Sequence, residues 1–291
     1  MSSAEDPARA PVRRRDVRTR RISFNHPRGA LQKHYVGGDL VMSHVVAVLS
    51  ATFPPGEDFF VRSVRHFRDQ VTDPELSRQV GGFIGQEVTH GREHRELNRR
   101  LQEMGYPTHR VARHVKGELR RVDRLVPPRM RLAYTAALEH YTATLAECLL
   151  RKPAAQALLG DTEVRSVLLW HAVEESEHKA VAFDVYRAVG GSERMRIWAM
   201  RIMTAGLLGL VAVATLLSML FTDRSTYNPV RLARSLAALR HSPFLERDVI
   251  DHVRAYSKPG FHPDDVDSSA LLDRWTRELF GPEGRLADHL H

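Results

Sequence analysis

The sequence predicts an all-α protein, and three observations predict it. Apolar residues recur at alternating spacings of three and four along most of the chain, the period of a helix with one buried face. No stretch of useful length alternates with the two-residue period of a strand. Helix-opening and helix-ending residues, such as Asp73–Pro74 and Gly105–Tyr106–Pro107, cut the chain into helix-length pieces.

Taken in order, residues 1–21 read as a disordered basic arm (Arg9, Arg13, Arg14, Arg15, Arg18, Arg20, Arg21) without the apolar run of a secretory signal. Helical periodicity begins near Asp39 and reaches Thr52, where Pro54–Pro55–Gly56 is expected to interrupt it. A second segment runs from Glu57 to about Val71. Asp73 then caps a long helix with proline at its first position, ending near Gly105. The basic stretch Thr108 to Val126 reads as helical. Pro127–Pro128 opens another long helix that stops before Lys152–Pro153. Asp161 is expected to cap the next, continuing to Gly190–Gly191.

Twenty uncharged residues follow, Ile202 to Phe221, enough at 1.5 Å per residue to cross a bilayer. The segment is read either as a membrane contact or as a helix buried in the protein or in a homodimer. The expected organisation is therefore an arm over 1–21, a metal-binding bundle over 22–195, and an apolar helix with a helical cover over 196–291 in the same domain.

The chain has 291 residues, a formal net charge of +8, 16 histidines and one cysteine, Cys148. One cysteine excludes an intramolecular disulfide and a thiolate metal cluster, so any metal is held by oxygen and imidazole nitrogen. The excess positive charge invites a nucleic-acid reading. It is concentrated in the arm and between Arg110 and Arg124 with no nucleic-acid motif beside it, and nucleic acid is not an expected partner. The expected location is the cytoplasm, with the inner membrane reached through 202–221.

The chemistry lies on four segments. On the Pro74 helix, Phe83, Glu87, His90, His94, Leu97 and Leu101 share one face, apolar at both ends and polar in the middle. On the following Asp161 helix, Val164, Leu168, His171, Glu175, His178, Ala182 and Val185 repeat that pattern. Charged groups in an inward stripe are costly unless something pairs with them. Each patch holds Glu-x-x-His, which brings a carboxylate and an imidazole from adjacent turns to one metal. Glu139 and Glu57 each add one carboxylate on an otherwise apolar face. One glutamate from each of two helices with Glu-x-x-His from two others is the ligand set of dinuclear carboxylate proteins in ferritin-like four-helix bundles.

The candidate ligands are thus Glu57, Glu87, His90, Glu139, Glu175 and His178, with His171 as a seventh and His94 as a donor behind them. Four glutamates and two divalent ions sum to zero charge. Oxygen and imidazole ligands suit two iron ions, with manganese or zinc as alternatives. Glu174 and Glu177 flank Glu175 and are expected to face solvent, and His140 to point away from the site. Tyr134 and Tyr141 are expected to fill core.

Five stretches carry a resemblance: FPPGEDFF (53–60), GQEVTHGREH (85–94), ALEHYTA (137–143), WHAVEESEHKAVAFDVY (170–186) and KPGFHPDD (258–265). With them the chain resembles the bacterial family of predicted metal-dependent hydrolases. The ligand pattern also resembles the di-iron N-oxygenases of arylamines, in which a His-x₃-Glu-x₂-His run supplies a third histidine, matched here by His171, Glu175 and His178. The resemblance implies a ferritin-like bundle around two metals. The leading expectation is a di-iron oxidoreductase that activates O2, with an electron donor, to oxidise a small apolar substrate. The alternatives are a dinuclear hydrolase of an ester or phosphoester and a protein that stores or senses metal.

Overall fold

The computed structural model describes residues 16–25 and 31–291. Among these the chain is all-α. Its helices are α1 (Leu40–Arg65), α2 (Pro74–Glu103), α3 (Thr108–Leu125), α4 (Pro128–Arg151), α5 (Pro153–Leu159) and α6 (Glu163–His178). They continue with α7 (Val181–Ala188), α8 (Glu193–Thr222), α9 (Pro229–Leu239), α10 (Arg247–Ala255) and α11 (Ser269–Phe280). One isolated bridge pairs Ile22 with Leu290.

Capping residues set the starts. Asp39 accepts from the Met42 amide to open α1, and Asp73 accepts from Glu75 and Leu76 ahead of Pro74 in α2. The cap of α6 is Thr162, one residue beyond the expected Asp161; its hydroxyl accepts from the Arg165 amide. The helix expected to reach Gly190 breaks after His178. At that turn the buried Lys179 ammonium reaches Glu147 Oε1 (2.9 Å), the Val266 carbonyl (2.8 Å) and Ser268 Oγ (3.0 Å), the partners that a buried cation requires.

The expected interruption at Pro54–Pro55 does not occur. Helix α1 runs through both prolines as one rod, although neither can donate to the carbonyl four residues back. The Ser50 carbonyl, freed by Pro54, instead accepts from Asn98 Nδ2 at 2.8 Å. Asn98→Leu is therefore expected to cost about 1–3 kcal/mol, the penalty of an unsatisfied buried carbonyl. The loss would be read as a lower denaturant midpoint at unchanged slope.

Helix α1 packs on α2, α2 on α6, α6 on α4 and α4 on α1, closing a four-helix ring. Two apolar clusters fill it. One is built around Phe59, Phe83, Leu132 and Tyr186, the other around Leu97, Leu149, Trp170 and Trp275. Each such side chain contributes about 1.5–3 kcal/mol by leaving water. Along α2 the chain passes from Phe83 in the first cluster to Leu97 in the second, and the polar residues between them form a waist. Helices α9, α10 and α11 pack on α1, α4 and α6.

Of the arm expected over 1–21, residues 1–15 lie outside the described residues. Residues 16–25 form a strap laid along α2. Two glycines make room for it: a Cβ on Gly82 would lie 2.0 Å from the Val17 carbonyl oxygen, and one on Gly85 would lie 2.0 Å from Thr19 Oγ1. Glycine in a helix interior costs about 1 kcal/mol relative to alanine, which this close approach explains.

Candidate metal centre

Every candidate ligand lies at the waist, and every one is buried. His178 Nε2 is 3.2 Å from Glu87 Oε1, 3.4 Å from Glu139 Oε2 and 3.6 Å from Glu175 Oε2. His90 Nδ1 stands 3.7 Å from both Glu87 Oε1 and Glu175 Oε1. His171 Nε2 is 2.9 Å from Glu175 Oε1 and 3.8 Å from Glu57 Oε1. The unbroken α1 carries Glu57 inward across Gly91 of α2, where a Cβ would meet its carboxylate at 3.2 Å.

Two groups of three donors each converge within 4.8 Å, Glu57–Glu87–His90 and Glu87–Glu175–His178, and they share Glu87. A third such group joins His90, His171 and Glu175. Both carboxylate oxygens of Glu57, Glu87 and Glu139, together with His90 Nδ1 and His178 Nε2, are buried and make no hydrogen bond. Buried polar atoms are ordinarily paired. This concentration of unpaired donors at one point fits divalent cations.

The hydrogen bonds on the far side of each ring fix which nitrogen faces inward. His178 Nδ1 lies 2.8 Å from Gln86 Oε1 and donates to it, which leaves Nε2 for the cage. His90 Nε2 lies 3.0 Å from Glu174 Oε2, which leaves Nδ1. His171 Nδ1 meets His94 Nε2 at 2.7 Å, and His94 Nδ1 meets Ser50 Oγ at 2.9 Å. His94 also comes close enough to form a group with Glu57 and His171. Because both its nitrogens are engaged, we read it as a brace for His171.

Glu174 and Glu177, expected to face solvent, do not. Glu174 is fully buried behind His90, and Glu177 accepts from Gln86 Nε2 at 2.8 Å. Arg20 of the strap bridges them, at 3.0 Å to Glu174 Oε1 and 2.5 Å to Glu177 Oε1. The bracing is crosswise: Gln86 on α2 holds the α6 histidine, and Glu174 on α6 holds the α2 histidine. Each stands one residue before its helix's cage glutamate, a symmetry already visible in the sequence. His140 points away and donates to the His252 carbonyl, and burial pushes it down to about 4. Tyr134 joins the core, whereas Tyr141 also lines a cavity and donates to Thr204 Oγ1.

Without metal, protons take up the imbalance. Burial, then repulsion from Glu87 and Glu175, pushes Glu139 up to about 8; burial and Glu87 raise Glu57 well above its ordinary range. Burial opposes charge on His90, but the hydrogen-bonded Glu174 carboxylate and the nearby Glu87 carboxylate outweigh it and carry the ring to about 10. His178 is likewise raised against burial, by Glu175 and Glu139. Burial and the neighbouring His90 lower His171.

Metal uptake therefore displaces protons. Apparent zinc affinity is expected to climb between about pH 6 and about pH 8, by about tenfold per unit for each proton released. Competition with a chromophoric chelator measures it. Metal-free stability should move the other way over that range. The raised value of Glu139 disfavours its ionised form in the fold. The raised values of His90 and His178 add stability below the ordinary histidine range, and it is lost as pH rises.

Two apolar cavities meet the cage. The larger, about 860 Å³, lies among α1, α3, α4 and α8 and includes Glu57, Phe60, Tyr141 and Leu207 in its wall. The smaller, about 200 Å³, reaches His171 and Glu175 from the side of α1 and α4. Leu49, Phe53, Thr142 and Leu145 belong to both walls. The Phe53 ring sits 4.6 Å from that of His94 and 4.9 Å from that of His171.

No curated protein and no solved structure matches the chain. The family model described as "Predicted metal-dependent hydrolase" matches residues 18–267, a span that takes in the strap from Arg18 onward, the whole cage and α8. A buried cluster of carboxylates and imidazoles suited to divalent metal is what such a description requires, and this chain belongs to the family of predicted metal-dependent hydrolases.

Proposed function

We propose that the chain is a dinuclear metalloenzyme acting on an apolar substrate held in the larger cavity. The observation that carries this reading is the group of unpaired carboxylate and imidazole atoms, of which the Glu57 carboxylate stands in the wall of an apolar chamber. Glu57, Glu87, Glu139, Glu175, His90, His171 and His178 would hold the metals. Bound divalent ions supply Lewis acidity to a carbonyl and acidity to water, and iron adds redox chemistry with O2. Phe53, Phe60, Leu138, Leu145 and Leu207 exclude water and hold an apolar chain against the cage. Gln86, Glu174 and His94 keep the three histidines in their metal-facing tautomers.

Of the two reactions, hydrolysis is the one the family description supports, and we assign it to an ester or phosphoester bond. A second reading, oxidation by O2 on two iron ions with an external electron donor, is favoured by the four-carboxylate set, which is that of di-iron bundle proteins.

The test loads the purified protein separately with zinc and with ferrous iron. Anaerobic cleavage of p-nitrophenyl acyl esters by the zinc form, lost in Glu87→Gln, supports hydrolysis. Inert zinc protein with O2-dependent spectral change in the iron form moves the assignment to oxidation. Less than one metal per chain under both conditions rejects the dinuclear site.

A further inference from the structure

We infer that α8 is a docking face for an anionic phospholipid surface, with the helix lying along the bilayer and not crossing it. The outward side of α8 is unbroken hydrocarbon: Leu208, Val213, Leu216, Leu217 and Phe221 are exposed, Phe221 by 77%. Only 17% of its most apolar stretch is buried. An exposed apolar patch of this extent marks a site of association.

The opposite side is fastened to the bundle along its length. Arg196 donates to the carbonyls of Tyr256 and Lys258, Thr204 Oγ1 accepts from Tyr141, and Ser218 Oγ pairs with His44 Nδ1 at 2.7 Å. The middle of α8 packs through Leu210 and Ala214 on a cluster built from Val48 and Ala51 of α1 and Val111 and Val115 of α3. Arg110, Val111, His114 and Val115 of α3 share the wall of the larger cavity with Leu210, Val213 and Ala214, so the exposed Arg110, Arg113 and Lys116 on that stretch of α3 lie level with the helix centre. Were α8 to cross a bilayer, these cations would stand at its midplane, where charge is most costly. Lying flat, the helix puts its apolar side among acyl chains and the arginines at the level of the headgroups.

Charge chooses the occupant. The rim of the face carries Arg194 and Arg201 at one end, Arg224 at the other and the α3 cations alongside, against Glu193 and Glu118. A two-fold contact between copies would bring like-charged rims together. Anionic headgroups neutralise them. Val213, Leu217 and Phe221 also belong to the wall of the larger cavity, which therefore opens within the docking face. An apolar substrate would pass from the lipid to Glu57 without crossing water. This last step rests on the proposed function; the docking itself does not.

Flotation of the full chain with phosphatidylcholine vesicles, with and without phosphatidylglycerol, tests it. Binding is expected to be at least about tenfold stronger to the anionic vesicles and to weaken as salt shortens the Debye length. Leu208→Glu with Leu216→Glu should abolish flotation while circular dichroism, melting and metal content stay unchanged. Arg113→Glu with Lys116→Glu should erase only the preference for anionic lipid. Three results would overturn the proposal: no flotation with either vesicle, a concentration-dependent dimer that the double glutamate variant dissolves, or retention in the bilayer after alkaline carbonate extraction. Metal content, measured on the same samples, tells failure of the cage apart from failure of docking.

Discussion

Glu57→Gln and Glu175→Gln are expected to weaken metal binding equally and to shift the melting of the metal-free protein in opposite directions. Both remove a carboxylate from the cage, so affinity should fall by more than about a hundredfold, beyond what loss of an outlying partner causes. The metal-free effects differ because the two groups sit on opposite sides of the charge balance. Glu57 is a carboxylate that burial and Glu87 keep protonated, so an amide replaces it at little cost and removes a repulsion. Glu175 is held well below the ordinary range, against burial, by His178 and His171. Its loss strands buried imidazolium charge, a defect of about 3–5 kcal/mol. Elemental analysis with melting in chelator reads both effects. Equal melting shifts, or retained metal, would contradict the cage as described.

Arg20→Ala should produce the largest loss among changes made outside the cage. Its guanidinium is the cation that bridges Glu174 and Glu177, and it stacks 4.5 Å above the Phe280 ring. Removing it leaves Glu174 with only His90 and Glu177 with only Gln86 as side-chain partners, a loss of up to about 3–5 kcal/mol. Glu174, the anchor behind the His90 ring, loses the cation that holds it, so metal affinity should drop by about 10–100-fold. Arg20→Lys should restore only part, because a point charge cannot fork between two carboxylates. Gly82→Ala should mimic the defect by pushing the strap off α2. Melting and chelator competition distinguish these outcomes; a wild-type affinity in Arg20→Ala would show that the strap does not position the histidine.

Much of this was legible in the sequence. The cage could be read because polar residues interrupt two apolar stripes at matching depth, and a buried charge advertises its need for a partner. Helix starts at Asp39, Asp73 and Pro128 followed from local capping chemistry. What escaped was non-local. The proline pair looked like a break because its remedy, Asn98, lies 48 residues from Ser50. Glu174 and Glu177 looked exposed because the cation that buries them, Arg20, precedes them by more than 150 residues in a stretch that reads as tail. Gly82 and Gly85 were the available clue, since helical glycines without a turn to make indicate something lying close.

The separation of Arg20 from its partners also sets an order of events in biosynthesis. Arg20 leaves the ribosome long before Glu174 and Glu177 exist, so the strap has nothing to hold until α6 has been made. Ser23 and Arg21 then wait further for His289 and His291, whose backbones they join at 3.1 Å and 2.9 Å. The four cage helices can thus assemble while the groove over α2 is still uncovered. Metal delivered at that stage would find the His90 flank open, and metal delivered afterwards would find it covered by the strap, with the two cavities left as openings. Pulse-loading a nascent chain against the finished protein would separate the two routes.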